Sequence, residues 1–105
     1  MGDTMDLMEM LEHTAKTLDE RVRLAEIGDK QDLDYLVDDE DYRVRELVAS
    51  HGMAKHLNIL VHDSNPIVRG EVAANKRKKD LEILKSDENE PLREYVWQLI
   101  DEMKS

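Results

Sequence analysis

Cysteine and phenylalanine are both missing from this sequence of 105 residues. Without cysteine there is no disulfide framework, thiolate metal site, iron–sulfur cluster or cysteine nucleophile. Proline and glycine are scarce, at two and four residues, so the turn signals that an all-β fold needs are too few. Aromatic residues amount to one Trp and three Tyr. No apolar stretch approaches membrane-spanning length. The N-terminus MGDTMDLMEML carries acids where a signal peptide has a basic region and an apolar run. Gly2 would suit myristoylation, but Asp6 stands where that motif has Ser or Thr. The expectation is a soluble, cytoplasmic protein with no membrane segment.

What is present is helix-forming. Leu, Glu, Lys, Ala and Met favour helices, and Leu, Val and Ile recur in order, unlike a disordered chain. The length suits one domain with one core. The formal charge of -10 is uneven: residues 1–41 carry -10, residues 42–79 carry +5 and residues 80–105 carry -5. A basic middle between acidic ends is either a set of solvated helix faces or a surface for an anionic partner.

A period of 24 residues runs through the chain. Arg21, Arg45, Arg69 and Arg93 share one phase, as do Leu24, Val48, Val72 and Val96. Ala25, Ala49 and Ala73 form another column, with Trp97 in the fourth place. Leu33, Leu57 and Leu81, then Leu36, Leu60 and Leu84, then Asp39, Asp63 and Asp87 complete each unit. Val44, Val68 and Leu92 precede the last three arginines, whereas Glu20 breaks that column.

Within a unit, Val44, Leu47, Val48 and Ala49 fall on one helical face, and Leu57, Leu60 and Val61 on a second, shorter one. Gly28, Gly52 and Asn75 suit the left-handed turn between the two helices. Asp41, Asn65 and Asn89 suit N-caps, and Pro66 suits the first helical position. Each hairpin is too small to bury its own apolar face, so neighbours stack. The expected fold is all-α: an α-solenoid (α-α superhelix) of about four 24-residue helical hairpins with a capping helix at each end. As domains this gives one unit over residues 1–105, with an N-terminal cap at 1–18, repeats at 19–90 and a C-terminal cap at 91–105. Met8, Leu11, Ala15 and Leu18 form the stripe of the first cap; Leu92, Val96, Leu99, Ile100 and Met103 form that of the second.

The phrase Val-Arg-x-x-Val-Ala, intact at Val44–Ala49 and Val68–Ala73 and followed by Leu-x-x-Leu and Asp, resembles the leucine-rich repeat variant family and, more broadly, HEAT-like helical repeats. The resemblance covers about residues 19 to 100 and is degraded at Glu20-Arg21 and Val96-Trp97. It implies a right-handed superhelix of helices alternating with shorter ones, α or 3-10. One type of member adds an iron–sulfur module through cysteines; that function does not carry over to this chain.

Few residues suggest chemistry. Arg21, Arg45, Arg69 and Arg93 read either as a phosphate-reading ladder or as structural pairs for Asp39, Asp63 and Asp87; repetition in every unit favours structure. His51, His56 and His62 are spaced by five and then six, no metal phrase, and read as solvated or helix-end histidines. Adjacent carboxylates such as Asp38-Asp39 are too common here to signal acid–base catalysis, and no nucleophile–base pair or phosphate loop stands out. No catalytic residue, metal site or cofactor is expected, and the protein reads as a non-enzyme.

Lys76-Arg77-Lys78-Lys79 is a basic run in the expected inter-helix turn of the third unit. Lysines near a helix C-terminus complement its dipole, which accounts for part of it. With Arg43 and Lys55 the run is the candidate partner-binding set. The leading functional expectation is a scaffold for an unknown protein or peptide partner, with Met1, Met5, Met8 and Met10 as an adaptable terminal surface for a partner or a second copy. The alternative is nucleic-acid or polyanion binding through residues 76–79, with Arg43, Arg45 or Lys55, against which stand the net acidity and the lack of interleaved aromatics.

Overall fold

The computed structural model describes Leu7 and residues 16–104. Among the described residues it is all-helical, with no strand. Over residues 16–104 seven helices follow one another: α1 (Leu18–Ile27), α2 (Lys30–Leu36), α3 (Tyr42–Ser50), α4 (Ala54–Leu60), α5 (Pro66–Ala74), α6 (Lys78–Leu84) and α7 (Glu90–Lys104). The odd-numbered helices are the longer ones, and the short helices are α. None is long and apolar enough to cross a membrane.

Local chemistry sets the helix ends. Thr17 opens α1 with a capping box: its hydroxyl accepts the Glu20 N–H at 3.2 Å while its own N–H donates to the Glu20 carboxylate at 3.2 Å. The Asp29 carboxylate caps α2 by accepting the Gln31 N–H. Asp41 and Asn65 cap α3 and α5 by accepting the N–H two residues on, and Asn89 accepts that of Leu92 in α7. Pro66 sits at the start of α5, where its missing N–H costs nothing.

One expected hinge differs. Gly28 and Gly52 take left-handed backbone (φ 78° and 74°), but in the third hinge that role falls to Lys76 (φ 60°), not to Asn75, whose φ is -77°. Residues 28, 52 and 76 keep the 24-residue phase. Asn75 instead uses its side chain, donating to the carbonyls of Glu71 at 2.9 Å and Ala49 at 3.1 Å. The basic run also leaves the turn sooner than its composition suggests. Lys78 and Lys79 are the first two residues of α6, at the positive end of its dipole, so the dipole account applies to Lys76 alone.

Each long helix packs on the next, α1 on α3, α3 on α5 and α5 on α7, and each short helix fills the space between the long helices before and after it. The apolar columns form the core. Ala25, Ala49 and Ala73, Val48, Val72 and Val96, and all six column leucines from Leu33 to Leu84 are at most 3% exposed. The alanines allow backbones to approach; burying each leucine contributes about 1.5–3 kcal/mol. Leu24 is only partly buried, and Trp97 stands at the surface with its indole N–H donating to the Lys85 carbonyl at 3.1 Å. On the C-terminal stripe Leu92, Val96 and Leu99 are buried, Ile100 packs against them and Met103 is exposed. On the N-terminal one, Met8, Leu11 and Ala15, like Met1, Met5 and Met10, lie outside the described residues, while Leu18 opens α1.

Candidate protein-interaction surface

Three of the four phased arginines are fasteners. Arg21, Arg45 and Arg69 each grip an aspartate eighteen residues on. The Nε–Oδ2 distances are 2.8 Å to Asp39, 2.7 Å to Asp63 and 2.9 Å to Asp87. In each pair the guanidinium Nη2 donates to the other carboxylate oxygen, so the contact is two-pronged. The remaining guanidinium nitrogen donates to a backbone carbonyl: Arg21 to Lys16, Arg45 to Asp39, Arg69 to Asp63 and Arg93 to Asp87. Asp39, Asp63 and Asp87 also accept the N–H of Asp41, Asn65 and Asn89, each at 2.9 Å, which shapes the turn before the next long helix. Burial pushes the Asp87 carboxyl up, but the bonds from Arg69 and Asn89 and the charges of Arg69 and Arg93 outweigh it and leave it below its ordinary range. The Arg45 guanidinium is raised by its bond to Asp63 against burial.

A second set of fasteners was not read from the sequence. The His51 ring Nε2 lies 2.6 Å from the Ala25 carbonyl, and Asn75 reaches Ala49 in the same way. Both reach 26 residues back to the end of the preceding long helix. Glycine makes room for them: a Cβ at Gly28 would run into the His51 ring, and one at Gly52 would lie 2.8 Å from Asn75 Oδ1. His56 is not solvated; it is 1% exposed, with Nε2 2.8 Å from Asp34 Oδ1. His62 is exposed.

The candidate basic residues divide. Arg77 points back into the fold: its Nε and Nη2 hold the Asp80 carboxylate at 2.7 and 3.0 Å, and Nη2 donates to Asn58 Oδ1 at 2.7 Å. Asp80 is completely buried, so Arg77 is the counter-charge that this acid requires. Arg43 closes on Asp41 at 2.8 Å, which, with the Arg43 N–H, lowers the Asp41 carboxyl to about 2. Lys55 pairs with Asp34 at 2.8 Å. Burial works to raise Asp34, and the bonds from Lys55 and His56 outweigh it and lower it. Lys76, Lys78 and Lys79 are exposed and, among the described residues, meet no carboxylate. Arg69 is buried, so it shares no face with them. The sequence did carry one overlooked signal here: Asp32, His56 and Asp80 hold the 24-residue phase one position before the buried leucines.

Concave features among the described residues include a groove and a cleft. Between α6 and α7 a groove of about 640 Å³ has Leu81, Ile100 and Met103 as apolar wall and Lys78, Lys79 and Lys104 around it. Along α7 a shallower cleft of about 710 Å³ is mostly acidic, with Arg93 and Trp97 among Glu90, Glu94 and Asp101. On the short helices Ile59 and Ile83, 24 residues apart, are 55% and 46% exposed. Comparison with protein-family models, curated proteins and solved structures returned no match.

Proposed function

We propose that this chain is a right-handed α-solenoid of about four 24-residue helical hairpins, of the leucine-rich repeat variant or HEAT-like kind, and that it acts as a non-enzymatic scaffold for protein–protein interaction. The repeating Arg–Asp step, at the same spacing and geometry three times, supports the repeat. The radius of gyration of 14.9 Å exceeds the roughly 13 Å of a globular domain of this length, and contacts run between successive helices, as stacking requires. Buried Asp80, buried Arg69 and the Nε2 of buried His56 hold internal partners.

The observation that carries the interaction reading is the pair Ile59 and Ile83. Large apolar side chains at equivalent positions on successive short helices stay uncovered, and a row of this sort suits an extended partner. The test compares cross-linking capture by the wild type and by Ile59→Glu/Ile83→Glu. The wild type retains a specific protein, and the variant loses it with its thermal midpoint unchanged. No specific partner, or one retained by the variant, contradicts the reading. Polyanion binding keeps exposed Lys76, Lys78 and Lys79 in its favour, while the pairing of Arg43, Lys55 and Arg77 within the fold leaves it the weaker alternative; salt-dependent duplex binding at low ionic strength tests it.

A further inference from the structure

We infer that the groove between α6 and α7 receives the acidic N-terminal segment of a second copy of this chain. The inference rests on the interaction reading above and names one partner for a different face of the molecule.

The groove joins an apolar wall to three cations. Leu81, Ile100 and Met103 form the wall, and Lys78, Lys79 and Lys104 stand around it. The one carboxylate lining it, Glu82, is engaged by Lys85 at 2.8 Å. Among the described residues none of the three lysines pairs with an acid, nor do Arg23, Lys30, Lys76 and Arg93, whereas Arg21, Arg43, Arg45, Lys55, Arg69, Arg77 and Lys85 do. Nor does the fold account for Lys78 and Lys79. They occupy the first turn of α6, where the dipole disfavours cations and where acids would stabilise the helix. Two positive charges held at a position that weakens the helix call for a use elsewhere.

The occupant follows from charge and composition. Residues 1–12 hold Asp3, Asp6, Glu9 and Glu12, an acid at every third position, and no Lys or Arg comes before Lys16. Between the acids lie Met5, Leu7, Met8, Met10 and Leu11. Unbranched methionine adapts to an irregular apolar wall, and its neighbouring carboxylates meet the lysines. Leu7, a described residue of that segment, is helical and 68% exposed in the single chain, so its apolar surface is uncovered there. The segment precedes α1, which α3 and α5 separate from α7 in the packing order, and this favours a second copy over the same chain as its source. Each chain carries a charge of -10, but screening over roughly 8 Å at physiological ionic strength leaves the local contacts to decide.

Sedimentation of the full chain over a range of concentrations tests this. The wild type associates reversibly above the monomer mass. Lys78→Glu/Lys79→Glu weakens association at least about tenfold and keeps or raises the thermal midpoint, since acids now open α6. Asp3→Lys/Asp6→Lys weakens it equally, and mixing the two variants restores a complex of both. The inference is overturned if the wild type stays monomeric, if association survives either variant, or if the mixture does not associate. Should the lysine variant fail to fold, the N-terminal variant, which changes no residue of α1 to α7, decides alone. A monomer that still captures a different protein through Ile59 and Ile83 refutes this inference and leaves the proposed function standing.

Discussion

The Arg45 guanidinium spans eighteen residues to clasp the Asp63 carboxylate, with Nε 2.7 Å from Oδ2 and Nη2 3.1 Å from Oδ1, while its third nitrogen holds the Asp39 carbonyl at 2.7 Å. One side chain thereby ties together the turns before two successive long helices. Asp63→Ala leaves that cation largely buried without its acid and opens the turn at Asn65. A loss of about 3 kcal/mol is expected, enough to lower the melting temperature by more than about 10 °C in a domain of this size. Arg45→Lys keeps the charge but not the two-pronged contact, so it lies between the two. Thermal or urea unfolding followed by circular dichroism measures both. An Asp63→Ala variant as stable as the wild type would show that the pair is incidental.

Lys76 holds left-handed backbone that glycine adopts freely. Lys76→Gly is expected to stabilise the fold by up to about 1 kcal/mol, because it relieves that strain at the cost of a looser unfolded chain. Lys76→Val, branched at Cβ, moves the melting temperature the other way. Equal stability of the three would contradict a strained hinge.

Gly28 and His51 are coupled. Gly28→Ala meets both the left-handed backbone and the His51 ring. His51→Ala removes the collision and the bond to the Ala25 carbonyl. In a double-mutant cycle the two losses are therefore smaller together than their sum, with a coupling of about 1 kcal/mol. Strict additivity would contradict contact between the two positions.

Acid weakens this fold through three carboxylates, Asp87, Asp34 and Asp41. Asp87 and Asp34 are lowered in the folded chain and Asp41 is lowered to about 2, so the unfolded chain binds protons more readily. Their contribution is complete above the ordinary carboxylate range near pH 4 and is lost as the pH falls through the folded values. Glu71 has the opposite sign: burial, then the charge of Glu46, raises it, so its protonation favours the folded state. Urea midpoints between pH 7 and pH 2 should fall steeply below pH 4. Glu71→Gln should stabilise at pH 7, with the gain fading as the pH drops. A midpoint that is flat through pH 3 would contradict the first expectation.

The sequence made the helices legible because the constraints on them repeat. Valine, alanine and leucine columns mark the core, and Asp41, Asn65 and Asn89 mark helix starts, since any residue that serves a packing role in one unit must serve it in the next. Singular features were harder to read. Asn75 looked like the hinge because asparagine tolerates left-handed backbone, yet its amide was needed at the Ala49 carbonyl and Lys76 took the strain instead. Arg77 looked like a surface charge because the acid it neutralises, Asp80, sits three residues away with nothing in its own type to declare it buried. Composition counts charges; only the packing tells which of them are spent.

Asp63 answers to two arginines at once: its side chain to Arg45 and its main-chain oxygen to Arg69. Asp39 and Asp87 are shared in the same way, between Arg21 and Arg45 and between Arg69 and Arg93. Consecutive joints therefore have a residue in common and do not open independently. Releasing one is expected to loosen the next. Hydrogen exchange is expected to find neighbouring joints opening together and not singly.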